Sequence, residues 1–184
     1  MLTRNEALEL LKKNLHSENL VKHSYAVEAI LREMAKNLSQ DEELWGVTGL
    51  LHDLDFDYTK NEPEKHALIT VQVLQELLPE EAMYAIKAHN FQHTAQIPQT
   101  YLDKSLIAAD AVSGLIIATA LVMPSKKLTD VQLQTLLAKF KDKSFAAGCN
   151  RKRIELCEDM ELSLQKFLEL SLNALKGIAD TLGL

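Results

Sequence analysis

Glycine and proline are scarce in this chain, six and four residues out of 184. That is too few turn formers for the many short connections of an all-β fold. Cysteine is scarcer still. Cys149 and Cys157 stand eight positions apart and form no CxxC pair, which speaks against a disulfide framework and against a thiolate zinc site. A reducing, cytoplasmic setting is the matching expectation. A basic excess is missing too: the net charge is −6, opposite in sign to that of a general nucleic-acid binder, so no nucleic-acid partner is expected. The opening MLTRNEALELLKKN is broken by charges and does not read as a secretory signal. The longest apolar stretch, Leu106 to Met123, contains Asp110, Ser113, Gly114 and Thr119. An acid in lipid is costly, so the stretch reads as a buried core helix and no membrane partner is expected.

What the chain does have is 47% apolar and 25% charged residues, enough for one globular domain with a sizeable core. The expectation is a single all-α domain over residues 1–184. Thr3, with Glu6 three residues on, forms a capping-box signature, and Leu8, Leu11 and Leu15 follow as one stripe. A second helix runs from Ser17 to about Leu38 and turns His23 inward between Leu20 and Val27. A third, from about Asp41, ends in His52-Asp53. Pro63 closes the polar loop LDFDYTKNEP and suits the first turn of a fourth helix carrying His66, Ile69 and Val73. Pro79 opens a fifth, which reaches about Asn90 with Met83, Ile86 and His89 on one face, and FQHTAQIPQT reads as a loop. The helix holding Asp110 stops at Met123-Pro124. Two further helices, about Thr129 to Phe140 and Arg151 to Leu182, complete the chain.

Four inward histidines and two aspartates thus fall on separate helices: His23, the pair His52-Asp53, His66, His89 and Asp110. Taken singly, a histidine on an apolar face is most often a hydrogen-bonded core residue, and His16 and His93 are read that way. Asp110 is different. An ionised carboxylate inside ALIAADAVSGLII, flanked by apolar residues for a turn on either side, costs several kcal/mol unless a cation compensates. Imidazole and carboxylate together are ligands for zinc, iron, manganese and similar ions.

The order His23, then His52-Asp53, then Asp110, on successive helices, resembles the HD superfamily of metal-dependent phosphohydrolases. The resemblance spans about Leu20 to Leu115 and includes the strings GLLHDLDFD, AIKAHN and AADAVSGL. It implies an HD-type helical bundle with a ligand-bearing core at about 20–115 and C-terminal helices over 125–184. It also implies His23, His52, Asp53 and Asp110 as core metal ligands. In two-metal members two further histidines lie between the HD pair and the last Asp, and His66 and His89 look like those two. Asp53 would then bridge two divalent ions, iron, manganese or similar. The dyad continues Leu54-Asp55-Phe56-Asp57 and His89 is followed by Asn90, which departs from the cyclic-dinucleotide members and argues against that substrate. Nucleotidase members use a Glu shortly after the dyad. Asp55 and Asp57 occupy that region at other offsets, and a second-metal, acid-base or loop-capping role is open for each.

The implied function is hydrolysis of a nucleotide or related phosphate ester by metal-activated water, with Asp53, Asp55 and Asp57 as the catalytic candidates. The alternatives are a di-iron oxygenase of HD type and a non-catalytic, metal-containing nucleotide sensor. A phosphorylated small molecule needs cations to hold it. Residues 126–153 carry eight basic residues against two acids, +6 locally and −12 for the rest of the chain. Lys126, Lys127, Lys141, Lys143 and Arg151 are the candidate substrate ligands; the plainer reading of the same run is a solvated face. The sequence is silent on oligomeric state.

Overall fold

A computed structural model describes all residues, Met1–Leu184, and contains helices and no strands. Its α-helices are α1 (Arg4–Asn14), α2 (Glu18–Asn37), α3 (Glu42–Leu51), α4 (Phe56–Thr59), α5 (Leu68–Leu74), α6 (Glu80–His89), α7 (Phe91–Thr94), α8 (Tyr101–Val122), α9 (Leu133–Lys141), α10 (Arg151–Ile154), α11 (Leu164–Lys176) and α12 (Ala179–Leu182). Local chemistry sets the starts of the long ones. The Thr3 hydroxyl accepts from the Glu6 backbone N–H while the Glu6 carboxylate accepts from that of Thr3, closing a capping box at α1. Asp41 accepts from the backbone N–H groups of Glu43 and Leu44 at the start of α3. Thr100 and Asp103 form a second capping box at α8.

The apolar helix α8 lies at the centre. It is long and apolar enough to cross a membrane, yet 61% of its most apolar window is buried inside the fold. It packs against α2, α6, α9 and the 3-10 segment Glu155–Met160. A continuous cluster of 46 buried residues joins Ala7 and Leu11 of α1 to Leu182 of α12. α2 packs closely on α3, where a Cβ on Gly49 would stand 3.1 Å from the Val27 carbonyl oxygen and 3.2 Å from the Glu28 nitrogen. Those are backbone atoms of a helix and cannot swing aside. Gly49→Ala is therefore expected to destabilise the protein by about 1–3 kcal/mol despite alanine's better helix propensity. Urea denaturation measures it, and an unchanged or raised midpoint would show that α2 and α3 separate at little cost.

Four elements differ from the sequence reading, the simplest being the helix expected from about Thr129, which starts only at Leu133 after a 3-10 turn over Leu128–Asp130. The helix expected to carry His66 from Pro63 begins only at Leu68: His66 sits in the preceding turn, and the buried Ala67 takes a left-handed φ of 73°. That conformation costs a non-glycine residue about 1–2 kcal/mol and persists because tertiary contacts fix it. FQHTAQIPQT is not all loop, since Phe91–Thr94 forms the short α7. The single helix expected from Arg151 to Leu182 is broken into pieces. Glu161, at φ 59°, ends the 3-10 segment, and Ser163 caps α11 afresh by accepting from the Lys166 N–H.

Candidate metal centre

Five separate pieces of chain, α8 among them, converge on one site. α2 presents His23, the end of α3 presents His52 and Asp53, the turn before α5 presents His66, the last turn of α6 presents His89, and the middle of α8 presents Asp110. Asp53 is the hub. Its Oδ1 faces Nε2 of His52, His66 and His89, each at 3.3 Å, and its Oδ2 faces Nε2 of His23 at 3.6 Å. Two sets of ligand atoms lie within 4.8 Å of one another: His23, His52 and Asp53, and Asp53, His66 and His89. Asp53 belongs to both. Asp110 joins from the edge, with Oδ1 3.3 Å from His23 Nε2.

The outward side of each ring shows why all four Nε2 atoms point inward. His52 Nδ1 pairs with the Gly49 carbonyl at 2.8 Å, and His89 Nδ1 with the Ile86 carbonyl. His66 Nδ1 pairs with Asp55 Oδ1 at 2.8 Å. His23 Nδ1 meets the Ser113 hydroxyl at 3.2 Å, and that hydroxyl spends its own proton on the Asp110 carbonyl. Every outer partner is an acceptor, so each Nδ1 carries hydrogen and each neutral ring turns the lone pair of its Nε2 to the centre. This is the outer shell that orients metal-ligating histidines. His52 Nε2 is fully buried without a hydrogen-bond partner, and the Nε2 atoms of His66 and His89 face each other at 2.9 Å. Ligands of one ion with bonds of about 2.0–2.1 Å stand roughly 2.9–3.4 Å apart at angles between right and tetrahedral. The cluster fits divalent metal.

Charge is distributed to match. Burial pushes His52 down to about 4, keeping it neutral. Burial also opposes charge on His66, but hydrogen bonds with Asp53 and Asp55 outweigh it and push His66 up to about 9. Asp53 lies well below the usual carboxylate range: burial opposes this, and the surrounding His52, His66, His89 and His23 prevail. Burial similarly opposes charge on His23, whose pKa is raised because Asp110 and Asp53 prevail. Without an ion, then, His66 carries a second proton, stabilised by Asp53 and Asp55, and a ligating imidazole must release it. Below about pH 9 this group alone should lower apparent metal affinity about tenfold per pH unit of acidification. At about pH 7.5, metal uptake should release about one proton from His66. Calorimetry in buffers of different ionisation enthalpy checks it; binding heats independent of the buffer would contradict a protonated His66.

A profile of the HD domain matches residues 20–115, which carry all six of these side chains. The chain belongs to the HD domain family. It is also 32% identical over 107 residues to Ribonuclease Y of Nitratidesulfovibrio vulgaris, from strain DP4 and from strain Hildenborough alike. That match covers 58% of this chain and 20% of those proteins, so the chain spans about one-fifth of the length of the curated relatives it matches. No solved structure matches it significantly. HD domains as a superfamily are metal-dependent phosphohydrolases, and this HD domain has a buried His/Asp cluster suited to that chemistry.

The remaining expected site residues separate. Asp55 is buried and faces His66 Nδ1; it also accepts the Thr70 N–H at 3.0 Å, so it braces a histidine from the outer side. Asp57 points elsewhere, accepting the backbone N–H of His16 at 2.8 Å and of Ser17 at 3.4 Å. It ties the α1–α2 connection to α4. The basic run divides too. Lys126 and Lys127 follow the end of α8, about 18 Å along the helix axis from Asp110 at 1.5 Å per residue. Lys141 and Lys143 are exposed, and Lys143 lines a neighbouring cavity that meets the one beside Asp110 along Gly148, Cys149 and Asn150. The guanidinium of Arg151 donates to six backbone carbonyls, those of Lys139, Phe140, Asp142, Phe145, Ala146 and Cys149, and has no N–H left for a phosphate. It is a brace for the connection between α9 and α10.

Three residues matter that the sequence reading did not single out as site residues. Asn90 donates from Nδ2 to the carbonyls of Pro63 and His66 and so pins the turn bearing His66 to the end of α6. Ser113 steers His23, and its place three residues after Asp110, on the same helix face, was the available signal. Arg153 reaches Asp110, with Nη1 3.5 Å from Oδ2. Membership of the basic run was its only mark in the sequence.

Proposed function

We propose that this HD domain hydrolyses a nucleotide or related phosphate ester, using metal-activated water at the His/Asp cluster. The observation that carries the reading is the common orientation of the four histidines, each tied through Nδ1 to an outer acceptor and each turned through Nε2 toward Asp53. A divalent ion held there, iron, manganese or similar, supplies an activated water and offsets the charge that grows on phosphoryl oxygens. Asp53 provides the carboxylate common to both ligand sets. The neutral His52 supplies a ligand that needs no deprotonation. A cavity of about 360 Å³ opens beside Asp110, lined among others by Gln92, Asn150 and Arg153, and gives a phosphate ester room next to the cluster.

Elemental analysis of purified protein, followed by a phosphate-release screen in the metal found, tests the reading. The screen takes nucleoside mono-, di- and triphosphates and, because the matched relatives are named Ribonuclease Y, a short RNA. Turnover of a nucleotide or small ester supports the proposal. Cleavage of RNA alone would replace the substrate class. Oxygen uptake by iron-loaded protein without phosphate release would replace hydrolysis by the di-iron oxygenase reading. Tight nucleotide binding with no turnover in any metal would leave a sensor.

A further inference from the structure

We propose that Arg153 is the anion ligand of this centre, its guanidinium gripping the phosphoryl oxygens of a small phosphorylated substrate held beside Asp110. The inference rests on the phosphohydrolase reading and adds to it a residue outside the matched span of 20–115.

The Arg153 side chain is 21% exposed, like that of Arg32 at 20%. Arg32 uses its cover well, donating to Glu28 and to both carboxylate oxygens of Glu43. Arg151, two residues before Arg153, is spent entirely on carbonyls. The guanidinium of Arg153, by contrast, makes no hydrogen bond to the protein. Asp110 at 3.5 Å is beyond the roughly 2.7–2.9 Å of a charge-assisted bond. Covered donors are normally satisfied, and a guanidinium offers five in a planar fork that matches the oxygens of a phosphate.

The surroundings aim that fork at the centre. The Phe91 ring lies beneath it, 5.6 Å from Cζ to the centroid, and supports the guanidinium without using a donor. Asn150 caps α10 by accepting from the Lys152 N–H and so fixes the first turn that carries Arg153. Arg153 and Asp110 line the same cavity of about 360 Å³, whose other walls include Gln92, Gly114 and Asn150. No aromatic side chain lines it. The chemistry suits a phosphoryl group, with any base of the substrate lying outside this cavity.

The position beside Asp110 gives the test a signature of opposite signs. Removing the Arg153 charge relieves repulsion of a cation near Asp110, so metal affinity should hold or rise while phosphate affinity falls. Inorganic phosphate is titrated by calorimetry into manganese-loaded wild type, Arg153→Gln and Arg153→Lys, with manganese content measured alongside. Arg153→Gln is expected to weaken phosphate binding by about tenfold to a hundredfold, with Arg153→Lys between, at undiminished manganese content. Wild-type phosphate affinity in Arg153→Gln, with ester hydrolysis intact, would overturn the inference and leave the hydrolase reading standing. A loaded wild type that neither binds phosphate nor hydrolyses any ester would overturn both. Should Arg153→Gln fold poorly by circular dichroism, Arg153→Lys decides alone: the charge remains but the fork is lost, and unchanged phosphate affinity would count against the proposal.

Discussion

Asp53→Ala is expected to abolish metal binding and hydrolysis together. Asp53 is the one residue common to both ligand sets, with three histidines facing Oδ1 and one facing Oδ2. Without its carboxylate each set retains only two histidines, and the negative charge that balances a cation at the middle of the cluster is gone. The nucleophile depends on the metal, so activity should fall to background with metal content and not merely to a lower kcat. His89→Ala sharpens the expectation. It removes a ligand from one set alone, and if the two sets hold one ion each, about half the metal should remain. Elemental analysis of both variants, with circular dichroism to confirm folding, gives the answer. Full metal content in Asp53→Ala would remove Asp53 from the centre and with it the two-ion arrangement.

The second large effect divides two aspartates that look alike in the sequence. Asp55→Ala should weaken metal binding by about tenfold to a hundredfold although Asp55 is not placed as a ligand, because it alone holds the Nδ1 side of His66 as a carboxylate. It also accepts the Thr70 N–H, so part of the α5 start loosens with it. Asp57→Ala should leave metal affinity unchanged and cost only the bonds to the His16 and Ser17 N–H groups, about 1 kcal/mol of stability. Metal-competition titration compares the pair. Equal affinity in the two variants would mean that His66 keeps its orientation without Asp55, or does not bind metal.

The sequence by itself determined what depends on neighbours within a few turns. The capping box at Thr3 and Glu6, the start of α3 at Asp41, the inward face of α2 carrying His23 and the extent of α8 all follow from side-chain chemistry and a 3.6-residue period. The buried acid of α8 was legible for the same reason, since Asp110 interrupts an apolar run that its own helix cannot compensate. Only the tertiary structure decided how similar residues divide their roles. Pro63 favoured a helix through His66, but Asn90, 24 residues further on, holds the carbonyls of Pro63 and His66 and keeps that stretch a turn. Asp55 and Asp57 differ by which distant groups meet them, Thr70 and His66 for one, His16 and Ser17 for the other. Arg151 and Arg153 differ likewise: one finds six carbonyls that need donors, while the other finds a phenyl ring, a carboxylate at 3.5 Å and a cavity. A charge in a sequence carries no direction. Its partners are fixed when packing brings remote backbone groups within hydrogen-bond distance, and a periodic pattern holds no record of that.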